Sequence, residues 1–191
     1  MSYIYRREPL RQDEELRLLS TVQAGRERLA VVLFLETGMR ISELAELDLR
    51  AIDWQLHRVT VYGKGGKTGH NSKRRVIPLS KKAMEVLAPN MGLLERRLNE
   101  QRKGRTYSVW VHCRTMNRLV HTCANRALIT RNVCPHMLRH TFAVNCLRKG
   151  LDVRYVMQLL GHERLATTQG YLNLSPDDVC EQFHKKWDGN A

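Results

Sequence analysis

Apolar residues recur at helical spacing along much of the chain. Leu16, Leu19 and Val22 share one face of a segment from Gln12 to Ala24. Gly25 separates that segment from a second helix, Glu27 to Glu36, and Gly38 breaks the pattern again. The second helix holds the longest apolar run, Leu29-Ala30-Val31-Val32-Leu33-Phe34-Leu35. Ser42 is placed to cap a short helix, Glu43 to Leu47. From His57 the period falls to two: Val59 and Val61 alternate with Thr60 and Tyr62, up to Gly63. Arg75 to Leu79 reads as a second strand. The basic, glycine-rich segment between them predicts a hairpin with a long tip.

Beyond the hairpin the pattern is helical again. Ser80 caps a segment through Leu87 that Pro89 stops, and the spacing predicts a further helix from Met91 to Arg102. Ser108 to His112 reads as extended and Arg114 to Leu128 as a helix. Pro135 opens a helix to about Lys149, with Gly150 as its stop signal. Asp152 caps Val153 to Leu160, which Gly161 ends, and a short helix is expected over Leu165 to Leu174. Ser175-Pro176-Asp177-Asp178 is a helix start, after which Val179, Phe183 and Trp187 form one apolar stripe. No repeat, low-complexity tract or linker divides the chain. The expectation is one mainly α domain over residues 1–191 with a small antiparallel sheet, an α+β fold.

Composition then narrows the function. The chain has 191 residues, with 32 Lys and Arg against 19 Asp and Glu, a formal net charge of +13. That excess implies a polyanionic partner, nucleic acid first. Two basic clusters stand out: Lys64, Lys67, Lys73, Arg74 and Arg75, and then Arg96, Arg97, Arg102, Lys103 and Arg105. No apolar run approaches the ~20 residues of a membrane span, and Met1 to Arg11 has no signal-like stretch. A cytoplasmic location, on the nucleoid when DNA-bound, is expected. The five cysteines are odd in number and lack a CxxC pair, so buried free thiols are expected rather than disulfides. His112-Cys113 and His121-x-Cys123 match no common zinc spacing, and no metal or other cofactor is expected.

The chemistry lies in an ordered set of polar residues. His136 and Arg139 share a helix face. Upstream stands Thr37-Gly38-Met39-Arg40-Ile41-Ser42-Glu43-Leu44; downstream stand Leu159-Leu160-Gly161-His162 and Thr167-Thr168-Gln169-Gly170-Tyr171. Such a set suits attack on a DNA phosphodiester. Two guanidiniums, Arg40 and Arg139, can grip its non-bridging oxygens and offset charge that builds in the transition state. Tyr171 supplies a phenol, with a pKa of ~10, as nucleophile. Lys64 at the hairpin tip can protonate the leaving 5′-oxygen, a role open also to Lys67 and Lys73. His136 can take the Tyr171 proton or hold the phosphate, and His162 can hydrogen-bond the phosphate. Glu43, one turn after Arg40, can orient its neighbours. Lys67, Lys73 and Arg74 are candidate DNA contacts, and His140 is read as structural.

In order and spacing this set resembles the tyrosine recombinases, the phage-integrase family, from about residue 10 to the C-terminus. The resemblance implies a 3′-phosphotyrosyl intermediate, strand exchange without metal or ATP, and a homotetramer on two DNA duplexes, with accessory DNA-bending proteins as further partners. The Gly63-Lys64-Gly65 context matches the family's catalytic lysine, although this hairpin loop is longer than usual. Residues 10–174 would be the catalytic core. Helix 175–191 would dock on a neighbouring protomer or pack on its own domain. The N-terminal DNA-clamping domain common in the family has no room before Arg40. That suits a solitary catalytic domain of the fimbrial phase-switch type, or a fragment of a longer integrase. A type IB topoisomerase-like enzyme and an inactive DNA-binding regulator are the alternatives.

Overall fold

The computed structural model describes residues 8–63, 74–102, 104–161 and 176–188. Helix α2 (Arg26–Thr37) is its central element, buried from Leu29 through Thr37. A helix that is apolar all round belongs inside a protein, not on its surface. It packs against α4 (Lys81–Leu87), α6 (Cys113–Arg126) and α7 (Pro135–Arg148). Helix α1 (Gln12–Thr21) covers α6 from outside and buries Leu18. Full burial of each large apolar side chain contributes about 1.5–3 kcal/mol, so the Leu29–Leu35 run alone anchors the fold.

The period-two stretch forms a strand, as its alternation predicts. The sheet runs β1 (Ile52–Asp53), β2 (Arg58–Tyr62), β3 (Arg74–Pro78), antiparallel throughout. Val59 pairs with Ile77 and Val61 with Arg75, and the two valines face the core. The hairpin tip between β2 and β3 lies outside the described residues.

Two expectations change. The helix from Met91 stops at Glu95 (α5), and β4 (Leu98–Arg102) turns back as β5 (Arg105–Val109) through Gly104 at φ +73°. Glu100, Gln101 and Arg102 are good helix formers, but local propensity is weak beside tertiary bonds. Here Arg97 donates to the carbonyls of Leu47 (2.7 Å) and Ser108 (2.6 Å), and Arg102 reaches Glu46 (2.5 Å). The second change is at α3 (Ile41–Ala45), which starts one residue before Ser42, so that serine is inside the helix.

Helix α7 joins two cores. Its Met137 and Leu138 belong to the larger one; its Phe142 and Cys146 belong to a smaller one with α8 (Val153–Leu160) and α9 (Pro176–Trp187). Arg139 falls between these two sets. The stripe on α9 lies on its own chain: the Phe183 and Trp187 rings stack at 4.9 Å, and Phe142 is 5.4 Å from Trp187. Trp187 Nε1 donates to the buried Glu36 carboxylate (2.8 Å), which also accepts from Ser80 Oγ (2.7 Å).

Candidate active site

The site begins where α2 ends. Gly38 closes the helix at φ +59°, and its N–H donates to Phe34 O at 3.1 Å. A side chain there is excluded, because a Cβ would sit 2.3 Å from Phe142 Cδ1. The chain turns extended at Arg40, the residue that precedes α3. A serine, threonine or aspartate would usually stand there. Instead Glu43 reaches back and accepts the Arg40 N–H at 2.7 Å. Its carboxylate thus satisfies an orphan donor of the first turn.

Glu43 is only 2% exposed, and two arginines share it. Arg75, from β3, grips it bidentately: Nη1 donates to Oε1 at 2.5 Å and Nη2 to Oε2 at 2.7 Å. Arg40 Nη1 donates to Oε1 at 2.8 Å. Burial pushes the Glu43 carboxyl up, but the Arg75 bond and charge, then Arg40, outweigh it and hold it below its ordinary range.

The C-terminus of α8 closes the other side. The last carbonyls of a helix have no partner within it and carry its negative end. Three consecutive ones are met by three different arginines. Leu159 O accepts from Arg75 Nε (2.8 Å), Leu160 O from Arg139 Nη2 (2.5 Å), and Gly161 O from Arg40 Nη2 (3.1 Å). Arg139 also donates through Nη1 to Gly38 O at 2.5 Å. Gly161 ends α8 at φ +63°, and a Cβ there would press on Arg75 Cδ at 3.1 Å. The glycines of the two motifs therefore have one purpose: each turns its helix so that its carbonyl meets an arginine.

Three guanidiniums face a single carboxylate, which leaves positive charge in excess. Arg139, 5% exposed, feels it most. Burial first, and then repulsion from Arg40 and Arg75, push its pKa down to about 9 against the pull of Glu43. A bound anion would relieve this. Arg40, whose side chain is 40% exposed, is the member of the cluster most open to one.

Of the residues named from sequence, Arg40, Glu43 and Arg139 come together here. His136 lies on α7 one turn before Arg139 and is exposed. Arg74 is exposed at the start of β3, opposite Tyr62. Lys64, Lys67, Lys73, His162 and Tyr171 lie outside the described residues. Arg75 was missed as a site residue, being counted only in a basic cluster. Its signal was parity: it shares a strand face with Ile77, which is fully buried, and an arginine on that face needs an anion. Among the described residues no group of three His, Cys, Asp or Glu side chains could hold a metal.

Known proteins match this sequence and this fold. The family model described as phage integrase family matches residues 8–177. The chain belongs to that family. The tyrosine recombinase XerD of Staphylococcus saprophyticus is 30% identical over 172 residues, 87% of this chain and 56% of that protein. Among solved structures, XerA recombinase has a TM-score of 0.66 at 28% identity, covering 93% of this chain and 64% of that one. XerH site-specific recombinase, bound to a palindromic difH substrate after cleavage, has a TM-score of 0.60 at 22% identity. The match covers 96% of this chain and 51% of XerH, and at that identity it shows the fold alone. The chain thus spans between half and two thirds of the relatives it matches.

Proposed function

We propose that this chain is the catalytic domain of a site-specific DNA recombinase that works through a 3′-phosphotyrosyl intermediate. The observation that carries the reading is the meeting of Arg40 and Arg139 at one partly open site with excess positive charge. A diester phosphate in that opening would supply the missing anion. Its non-bridging oxygens would be held by Arg40 and Arg139, which oppose the charge that grows in the transition state. Tyr171 gives up its proton, to His136 or to solvent, and attacks phosphorus. A P–O bond to the tyrosine forms and the P–O5′ bond breaks. Lys64, or Lys67 or Lys73 in its place, protonates the departing 5′-oxygen. His162 hydrogen-bonds the phosphate. The ester retains the energy of the broken diester. A 5′-hydroxyl from a partner strand can therefore attack it, restore a diester and release Tyr171 without a nucleotide or a metal.

Double-stranded DNA is the substrate proposed. Support comes from the +13 charge and from a solved protein of this fold bound to its DNA. A homotetramer on two duplexes would bring the exchanging strands together, with accessory DNA-bending proteins to choose the pairing. The grip on DNA would weaken steeply with salt, as for any binding that releases counterions. No helix among the described residues is long and apolar enough to cross a membrane.

The test is an end-labelled, nicked duplex from the genetic neighbourhood of the coding sequence, run on a denaturing gel beside Tyr171→Phe. A protein-linked band that the variant lacks is the expected result. Strand transfer to a second duplex separates a recombinase from a type IB topoisomerase-like enzyme. Binding without any adduct would point to a regulator that kept the fold and lost the activity.

A further inference from the structure

We infer that Arg75 is a positioning residue that occupies Glu43 and so keeps the charge of Arg40 available to the scissile phosphate. This rests on the recombinase reading above and adds a role for a residue that need not touch DNA. A carboxylate three residues after an arginine at a helix start lies within its reach and attracts it. Glu43 and Arg40 stand at that spacing, yet they share a single side-chain bond, Nη1 to Oε1. Arg75 holds both Glu43 oxygens at 2.5 and 2.7 Å. Arg40 places its other terminal nitrogen on Gly161 O instead.

The two arginines are accordingly unlike. Arg75 donates from Nε to Leu159 O and from both terminal nitrogens to Glu43, and its side chain is 10% exposed. Its charge is answered by the carboxylate. Arg40 faces the opening with only a share of that carboxylate. A lysine could not replace Arg75: its point charge lacks the planar fork that fits both oxygens, and it has no third nitrogen for Leu159 O. Arg75 also stands second in β3, directly after the segment that carries Lys64, Lys67 and Lys73. The same bonds therefore fix the return strand of that hairpin against α3 and α8.

Without Arg75, Glu43 is free to close on Arg40 with both oxygens. The phosphate would then have to compete with a buried carboxylate for the guanidinium. Removing the carboxyl charge as well should undo part of the harm. That makes rescue the discriminating readout, since a residue that only props the fold would show added damage.

The experiment measures single-turnover adduct formation and DNA affinity for the unaltered chain, Arg75→Met, Arg75→Lys, Glu43→Gln and the Arg75→Met/Glu43→Gln double variant. Thermal unfolding is followed in parallel. Arg75→Met should slow adduct formation about 100-fold, as small misplacements in an active site do, with little change in DNA affinity. The double variant should recover roughly tenfold of that loss, a coupling typical of residues in direct contact. A double variant slower than Arg75→Met, or Arg75→Met as fast as the unaltered chain, overturns the inference. If Arg75→Met does not fold, Arg75→Lys carries the test: slower adduct formation at unchanged affinity supports it, and an unchanged rate overturns it. Absence of any adduct from the unaltered chain would overturn the recombinase reading instead.

Discussion

The two ends of α3 are built from the same parts and differ in what they leave over. At its start Arg40 and Arg75 bond Glu43, and Arg139 lies beside them on the carbonyls of Gly38 and Leu160. At its end Arg97 and Arg102 gather around Glu46 and Glu100. Arg97 donates to the carbonyls of Glu46 (3.2 Å), Leu47 (2.7 Å) and Ser108 (2.6 Å). Arg102 pairs with Glu46 at 2.5 Å and Glu100 at 3.2 Å, and lies 4.0 Å over the Tyr107 ring. There, two carboxylates answer Arg102, while Arg97 is held by carbonyls: burial lowers its pKa, and the charges of Asp48 and Glu46 pull against that. Burial pulls the Arg102 pKa down, but the bond to Glu46 and the charges of Cys113, Glu46 and Glu100 together outweigh it, and the net shift is upward. Arg139, bonded only to carbonyls, moves down to about 9.

The difference separates a brace from a site. The balanced end fixes α3 to the second hairpin and to the start of α6, where Glu100 accepts the Cys113 N–H at 2.9 Å. Trp110 adds an Nε1 bond to Leu44 O at 2.6 Å. Among the described residues of that cluster the exposed opening is missing: Arg102 lies between two carboxylates and over the Tyr107 ring. The unbalanced end has three cations, one carboxylate and an opening at Arg40. A basic residue in the sequence is thus no measure of a DNA surface; what matters is how many anions the fold already supplies to it.

The sharpest break between the two ends is Glu43→Ala against Glu46→Ala. Removing Glu43 leaves a buried cluster of like charges with no counter-ion and should cost about 3–5 kcal/mol of stability. Glu46→Ala should cost about 1 kcal/mol, because Arg102 keeps Glu100 and part of its solvent contact. Urea unfolding of the two variants measures both. Next in size is chemistry: Arg139→Ala should lower the adduct rate roughly 10²–10³-fold, the usual cost of a lost transition-state donor. Arg102→Ala in the same assay should stay within about tenfold, since it removes a brace and no phosphate contact.

Sulfate tests the charge excess without DNA. At a concentration well above its dissociation constant it should stabilise the unaltered chain by about 1–3 kcal/mol. Sulfate also stabilises any folded chain by exclusion from its surface, so the readout is a difference: in thermal melts against chloride at equal ionic strength the shift should be larger for Arg102→Ala than for Arg40→Ala. Equal shifts in the two variants would place the anion elsewhere.

The smallest effect lies far from the site. The Arg126 bond, working against burial, holds the Glu27 carboxyl at about 2, below its ordinary 4.5. A depressed carboxyl gives stability that is full above the ordinary value and lost as the pH falls toward the depressed one. Glu27→Gln should therefore flatten the stability profile between about pH 4.5 and 2, by less than about 1 kcal/mol for so exposed a pair. An unchanged acid limb would assign that slope to other carboxylates.

Much of this was legible in the sequence, for reasons that also explain the gaps. Arg40 and Arg139 stand in ordered motifs, and the glycines beside them mark helix ends whose carbonyls the arginines use. The β2–β3 hairpin followed from strict alternation at Val59 and Val61. Arg75 was obscured by its basic neighbours; only its strand parity set it apart from exposed Arg74. Residues 98–102 look helical by composition, and Gly104, suited to a positive φ, is the local signal for a turn. Ser42 is the best local cap, yet α3 starts at Ile41 because Glu43 serves Arg40 and Arg75 together. Local rules gave way where side chains from distant elements meet one charge.

The most direct test of the site as a phosphate holder is charge replacement on the DNA. Adduct formation by Arg40→Ala would be compared on a normal duplex and on one whose scissile phosphate carries a methyl group in place of one non-bridging oxygen. The second phosphate is neutral and has less need of a guanidinium. We expect a defect of roughly 100-fold or more on the charged phosphate that shrinks to within about tenfold on the neutral one. An equal defect on both would mean that Arg40 does not answer the charge of the phosphate, and would contradict the assignment of this site.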